Sequence, residues 1–284
     1  MKTAILKILV VACLLGALAF GLVTAKPVPN EITVMSYNIR CFNFDNVPVD
    51  LWARRQAPLI KHIKSHNPDI IGMQEVTTVQ GPYLDENLPE YAKVSQNRDM
   101  WLLSESNPIY YKKSKFTLID SGTFWLSETP EKMSVSWNSS CYRICTYAVL
   151  RHNQSGKIIT HFNTHLDHKS ALARENGLDV ILERIQAQQT PAILTGDFNL
   201  EENTPLYLTA KEALDDTKHI ATETMDIGSY HGYGAHDVTA RAPIDFIFVT
   251  KGDFTALSYK VLAEQIDGVY TSDHYAIKSV LKLN

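Results

Sequence analysis

The sequence predicts an α/β fold in which two β-sheets pack face to face beneath a cover of helices. Three observations predict it. Short β-branched segments with period-two alternation recur along the chain, whereas only two long segments place apolar residues at helical spacing. The glycine-rich phosphate loop that opens a doubly wound parallel sheet is missing, because Ser36-Tyr37-Asn38-Ile39-Arg40 after the first strand holds no glycine. Many strands with few long helices favour packed sheets over a single wound one.

Each element follows in order. Glu31–Ile39 (EITVMSYNI) alternates apolar and polar residues and reads as a strand. Leu51–Ser65 carries Leu51, Ala53, Leu59, Ile60 and Ile63 near helical spacing, and Pro68 stands where that helix has stopped. Strands follow at Asp69–Met73, Pro108–Tyr111, Thr146–Leu150 and Lys157–Asn163. A second helix, Ala171–Gln188, presents Leu172, Leu178, Ile181, Leu182 and Ile185, and Pro191 separates it from a strand at Ala192–Thr195. The last strand read from the pattern is Ile244–Val249. No repeat, low-complexity run or linker interrupts the series, so residues 26–284 read as one domain and a monomer.

Lys2 and Lys7 precede an apolar run from Ile8 to Val23, and Val23-Thr24-Ala25 offers small residues for cleavage. Residues 1–25 therefore read as a secretory signal peptide, with an uncleaved signal anchor as the rival, and the location as secreted or extracytoplasmic. Nothing after Lys26 resembles a second span. With 45% hydrophobic and 20% charged residues the chain is no disordered tail. Its formal charge of −4, made more negative by loss of the two leader lysines, gives no basic footprint for nucleic acid. A nuclease would need a local patch, for which Lys112, Lys113, Lys115, Arg143 and Arg151 are the candidates. Behind the leader stand Cys41, Cys141 and Cys145, an odd count that permits at most one intrachain bridge. Pairing of Cys141 with Cys145 needs a loop, Cys41 is an equally open partner, and three free thiols are the remaining reading.

Polar side chains gather at strand ends, where a rigid scaffold can aim them into one cleft. Asn38 ends the first strand, and Glu75 follows Ile70-Ile71-Gly72-Met73-Gln74. His165 lies in Asn163-Thr164-His165, and Asp197 and Asn199 lie in Gly196-Asp197-Phe198-Asn199. Asp245 follows Ile244, and Ser272-Asp273-His274 comes near the end. Carboxylates and amides without a cysteine pair at zinc spacing prefer a hard cation, Mg2+, Mn2+ or Ca2+. Histidines beside acids can move protons on a phosphate ester whose charge the cation offsets, so the implied chemistry is phosphoester hydrolysis. Arg143 adds a fixed phosphate contact. Asp167 reads as a helix cap, His168 as an exposed helix start or a site member, and His231 as a candidate for the cleft rim.

Ser36-Tyr37-Asn38, Pro68 to Val76 (PDIIGMQEV), Asn163-Thr164-His165-Leu166, Gly196-Asp197-Phe198-Asn199, Ile244 to Val249 (IDFIFV) and Ser272-Asp273-His274 stand in this order along the chain. Together these blocks resemble the endonuclease/exonuclease/phosphatase superfamily, the deoxyribonuclease-I-like proteins, from about Ile32 to Leu281. The stretch Ser121 to Pro130 and Arg143-Ile144-Cys145-Thr146 are similar to a secreted, poorly characterised branch. The resemblance implies a four-layered sandwich of two mixed sheets flanked by helices. It implies that Asn38 and Glu75 hold the cation with Asp273 close by, that Asp197 orients or deprotonates the attacking water, and that Asn199 holds the phosphate. His274 would contact the phosphate with Asp245 fixing its tautomer, and His165 would be a second catalytic histidine able to protonate the leaving group. Relatives often carry Arg before the Ile-Asp of the fifth block, where this chain has Pro243, with Arg241 as a partial substitute. The expected function is a secreted, metal-dependent phosphodiesterase or phosphatase using in-line attack of water on a phosphoester. A secreted endonuclease or exonuclease on DNA or RNA and a catalytically silent binding module are the alternatives. No apolar loop for entering a membrane stands out in the sequence.

Overall fold

Residues 30–43 and 48–284 are described in the computed structural model, so the leader read at 1–25 lies outside the described residues. β1 (Glu31–Asn38) is followed by α1 (Trp52–His66), β2 (Ile70–Gln74), the short β3 (Val76–Thr77), α2 (Gln80–Asn87), β4 (Tyr91–Val94) and β5 (Glu105–Ser106). Next come β6 (Ile109–Lys112), β7 (Phe116–Trp125), β8 (Ile144–His152), β9 (Ile158–His165), α3 (Ala171–Gln188) and β10 (Ala192–Asp197). The chain finishes with α4 (Pro205–Ala213), β11 (Leu214–Asp216), α5 (Thr217–Ile220), β12 (Asp245–Thr250), β13 (Phe254–Val261) and β14 (Ile277–Leu283).

One six-stranded sheet has the order β13-β14-β1-β2-β6-β4, and the other the order β11-β12-β10-β9-β8-β7. Within them β1 pairs β2 and β9 pairs β10 in parallel, while the other ladders are antiparallel. Three apolar clusters fill the spaces. Ile32, Val34 and Ile70 meet Leu150, Ile193 and Val249 between the sheets. Met35, Tyr37 and Met73 pack beneath Leu59 and Ile63 of α1, and Phe162, Leu194 and Phe246 beneath Leu178 and Ile181 of α3. Helix, sheet, sheet and helix thus form the expected layers.

Period two sends alternate residues to opposite faces. On the facing surfaces β1 contributes Ile32, Val34, Ser36 and Asn38, β9 contributes Ile159, His161, Asn163 and His165, and β10 contributes Ile193, Thr195 and Asp197. Each series runs from apolar to polar in the same direction. Asn163 Nδ2 donates to the carbonyls of Met73 (2.7 Å) and Pro108 (3.1 Å), and its Oδ1 accepts from Gln74 Nε2 (2.7 Å) and Thr195 Oγ1 (3.0 Å). The sheets close on this polar patch at one end and on aliphatic side chains at the other.

The expected helices end in left-handed residues, Asn67 (φ 48°) and Gln189 (φ 53°), just ahead of Pro68 and Pro191. Arg55 lies on the buried side of α1, 0% exposed, and donates to the carbonyls of Ile39 (2.8 Å), Thr271 (3.0 Å) and Asp50 (3.0 Å). It ties the exit of β1 to the loop carrying Asp273. β7 and β13 are edge strands; exposure of residues 117–120 blurs the alternation of β7 and a bulge between Ala256 and Ser258 breaks that of β13, and neither is read from the sequence. β14 alternates cleanly from Ile277 to Leu283 and was also missed. All three described cysteines are free, so the bridge reading does not hold among the described residues. Among those residues no helix is long and apolar enough to cross a membrane.

Two stability outcomes follow from the inter-sheet patch. A Cβ on Gly72 would stand 2.1 Å from Thr195 Oγ1 and 2.6 Å from Asn163 Oδ1. Gly72→Ala is expected to cost about 1–3 kcal/mol in urea unfolding, whereas Gly81→Ala, with open space around it, shifts stability by less than about 1 kcal/mol. His161, bonded through Nε2 to Thr195 Oγ1 (2.8 Å), is driven down to about 3 by burial. Its unfolded value lies near 6.5, so stability is complete above that pH and drains away as pH falls toward 3. His161→Gln should lose less unfolding midpoint than the parent between about pH 7 and about pH 4.5.

Candidate active site

The polar ends of the strands meet in a cleft of about 540 Å3. Glu75, Arg143, His165, Asp197, Asn199, Asp273 and His274 line it. Asn38 and Asp245 sit directly behind, bonded to Asp197 and His274 respectively. The residues expected to do the chemistry, Asn38, Glu75, Arg143, His165, Asp197, Asn199, Asp245, Asp273 and His274, therefore converge, although they come from both sheets. Ser272 Oγ donates to the Asn38 carbonyl (2.7 Å), which docks the Asp273-His274 loop on the end of β1.

Asp197 is the hub. Its Oδ2 accepts from Asn38 Nδ2 (2.9 Å) and lies 3.4 Å from His165 Nε2 and 3.7 Å from His274 Nε2. Its Oδ1 accepts from the Asn199 N–H (2.9 Å), which holds Asn199 in the left-handed region at φ 51°. Burial, reinforced by the Asp245 charge, pushes the Asp197 carboxyl up to about 7.

The two histidines sit in opposite protonation states. His274 Nδ1 donates to Asp245 Oδ2 (2.8 Å), and although burial works against its charge, Asp245 and Asp197 raise it to about 10. His165 accepts from Asn199 Nδ2 at Nε2 (2.9 Å), and burial together with the nearby Arg143 charge holds it well below its ordinary value. It is a neutral acceptor at rest, which differs from the expected proton donor.

Glu75 follows β2 with φ 63°, a strained conformation for a residue with a side chain. Burial favours its neutral form, but hydrogen bonds from Asn38 Nδ2 (3.0 Å) and the Cys41 N–H (2.9 Å), with Arg40 nearby, hold it well below the usual carboxylate range. Asp273 is raised by burial and by Glu75. Two repelling carboxylates over one cleft form an oxygen donor set that suits a hard divalent cation. Asn38 turns its amide nitrogen toward the carboxylates and its Oδ1 toward the Arg40 N–H (3.0 Å), so it joins a cation only by rotating its amide. The tighter group Asp197, Asp245 and His274, with ligand atoms within 4.8 Å, is already internally paired and handles protons.

Asp167 accepts from the Lys169 and Ser170 N–H groups and from Ser140, bracing a loop and the start of α3 as a cap does. His168 lines the cleft, with its Nδ1 accepting from Arg143 Nη2 (3.0 Å). His231 does not reach the lining; it stacks on Tyr275 at 3.9 Å, and its neighbour Tyr230 faces the cleft instead. Arg241 is exposed and also lies outside the lining. Sequence reasoning missed Arg40, Arg98 and Glu105. The Arg98–Glu105 pair (2.7 Å) joins a loop to the two-residue strand β5, a stretch with no alternation or motif, and only Arg40, two residues beyond Asn38, carried a positional signal.

Most of the candidate nuclease cations are far from this place. Lys112 and Lys115 pair with Asp69 (3.1 and 2.7 Å), at the opposite end of β2 from Glu75. Arg151 lies opposite Ile158, at the other end of β9 from His165. Of the five, only Arg143 lines the cleft.

The model of the endonuclease/exonuclease/phosphatase family matches residues 35–274. The chain is similar to a solved endonuclease/exonuclease/phosphatase from Bacteroides vulgatus, at 31% identity and TM-score 0.84, covering 89% of this chain and 99% of the other. It is similar to the mannosyl-6-phosphatase of Bacteroides thetaiotaomicron at 30% identity and TM-score 0.81, covering 88% and 99%. Among curated relatives, Nocturnin of Drosophila melanogaster is 27% identical over 172 residues, which are 56% of this chain and only 26% of that protein.

In the metal-free protein, NMR titration should find His274 as imidazolium well past pH 8, with its transition near about 10. Asp245→Asn should lower that transition by at least about one unit, while His165 stays neutral from about pH 6 to about pH 8.

Proposed function

The chain belongs to the endonuclease/exonuclease/phosphatase family, a family of phosphoester hydrolases, and on that premise we propose a divalent-cation-dependent hydrolase of small phosphoesters. The observation that carries the proposal is Asp197, a carboxyl near neutral pKa held between two histidines and beside two further carboxylates. Such a group can take a proton from water at the pH at which the enzyme works. Asn38 and the Asn199 N–H fix its direction, which suits in-line attack on phosphorus.

Glu75 and Asp273 would hold the cation, with Asn38 joining by amide rotation. When bound, the cation offsets the charge of the phosphate and steadies the charge that develops during attack. His274 donates to a phosphate oxygen through Nε2, with Asp245 fixing the ring, and it is the histidine that carries a proton to give. His165 and Asn199 form the acceptor-donor pair on the other side. Oxygen donors favour magnesium, with manganese or calcium as substitutes. The apolar leader with its two lysines supports an extracytoplasmic setting.

A bounded cleft and a mildly acidic chain whose other candidate cations lie at the far end favour a small substrate over a polynucleotide. The neighbouring mannosyl-6-phosphatase supports a sugar phosphate. A lipid phosphoester is the second reading, favoured by a feature not found in the sequence. Met100, Trp101 and Leu102 are 87%, 76% and 84% exposed on a turn whose neighbours Arg98 and Ser104 are tied to Trp125 and Trp101. A silent binding module has no use for an acid held between two buried histidines of opposite charge state.

With magnesium, the chain without residues 1–25 should hydrolyse a chromogenic phosphoester, and chelator should abolish turnover. Asp197→Ala and His274→Ala should each lower kcat by about a hundredfold or more with the fold intact by circular dichroism. Absence of metal-dependent turnover on sugar, lipid and chromogenic phosphoesters alike would overturn the proposal.

A further inference from the structure

Arg143 is buried in the cleft wall, yet its Nε and Nη1 have no hydrogen-bond partner. Nη2 donates to His168 Nδ1 (3.0 Å), and the nearest carboxylate, Asp167 Oδ2, is 3.8 Å from Nε, beyond hydrogen-bond reach. Arg98, on the same cleft, uses Nη2 on Glu105 (2.7 Å) and leaves Nε buried without a hydrogen bond, 3.6 Å from Asp99 Oδ2. A buried guanidinium with idle N–H groups is costly unless a ligand completes it. Neither arginine is idle for want of nearby structure: the Arg143 carbonyl accepts from the Leu126 N–H (2.8 Å), and the Arg98 carbonyl from the Trp125 indole (2.8 Å). Both side chains line the cleft, with their idle donors buried in its wall.

The count of phosphate oxygens identifies the ligand. A phosphodiester has two terminal oxygens sharing one charge, and the proposed cation with His274 and Asn199 accounts for both. A phosphomonoester has a third terminal oxygen and, above its second ionisation near pH 6, a second charge. We propose that Arg143, seconded by Arg98, receives that third oxygen and makes the enzyme a phosphomonoesterase. The assignment rests on the phosphoester-hydrolase reading of the same cleft and adds to it the substrate class. Arg143 stands one residue ahead of β8, whose Cys145 pairs Thr164 of β9, so it lies beside His165, and the third oxygen is gripped at that end of the site. A planar guanidinium suits the task because it presents several donors to a phosphate at once.

The test uses p-nitrophenyl phosphate and bis(p-nitrophenyl) phosphate with the magnesium-loaded chain, together with inorganic phosphate binding by calorimetry. For Arg143→Gln the ratio of monoester to diester kcat/KM is expected to fall at least about tenfold, and phosphate affinity at least about tenfold. Arg143→Lys should recover part of both, and Arg151→Gln, at the far end of the sandwich, neither. The rise of monoester kcat/KM as its second ionisation completes should flatten in Arg143→Gln. Equal loss on both esters, or phosphate binding unchanged in Arg143→Gln, would overturn the assignment. Failure of the hydrolase reading looks different: neither ester is turned over, while the calorimetric loss at Arg143 still upholds the anion subsite.

Discussion

Asn163 spans the space between the sheets with donors to Met73 and Pro108 and an acceptor for Gln74 and Thr195, and the position of nearly every site residue depends on that span. Glu75 follows Gln74 directly, and Asp197 lies two residues beyond Thr195 on the same face of β10. An aliphatic contact would hold the sheets together but would tolerate sliding, because dispersion has no direction. Hydrogen bonds of defined length in a buried place do not tolerate it. The inter-sheet space is therefore divided along the strands. The aliphatic half supplies cohesion, and the polar half sets the register between Asn38, Glu75 and the Asp273-His274 loop of one sheet and His165, Asp197 and Asp245 of the other. Gly72 belongs to the same arrangement, since only an absent side chain lets Asn163 and Thr195 come so near its backbone.

The layers were legible because period-two alternation and helical spacing are local properties. Glu31–Ile39, Asp69–Met73 and Ala171–Gln188 matched their elements within a residue or two, and prolines marked the helix ends. Edge strands were not legible, since β7 is solvated along its first half and the period of β13 is broken by a bulge between Ala256 and Ser258. The convergence of Asn38, Glu75, His165, Asp197, Asp245 and His274 was readable from strand-end positions and ordered blocks. The state of each group was not. Asn38 faces its partners with nitrogen, and His165 is neutral, because both depend on which neighbours distant parts of the chain bring up. The exposed Met100-Trp101-Leu102 turn was equally hidden, since an apolar run reads as core until its surroundings are known.

His165 and His274 show how little the residue type decides. Both imidazoles are buried and both approach the same oxygen of Asp197. His274 has Asp245 at 2.8 Å on its other nitrogen, whereas the Nδ1 of His165 is without a partner and its Nε2 receives the Asn199 amide. One ring is given an anion to answer and the other a donor, so one holds a proton and the other a lone pair. Asp197 stands between them with a carboxyl near neutrality. On the proposed mechanism a proton taken up by Asp197 stays on that carboxyl, because His274 is already charged and His165 is the weaker base. The lift of Asp197 comes from burial and from Asp245, which is itself fully buried. Asp245 therefore acts twice, keeping His274 charged and making Asp197 a stronger base.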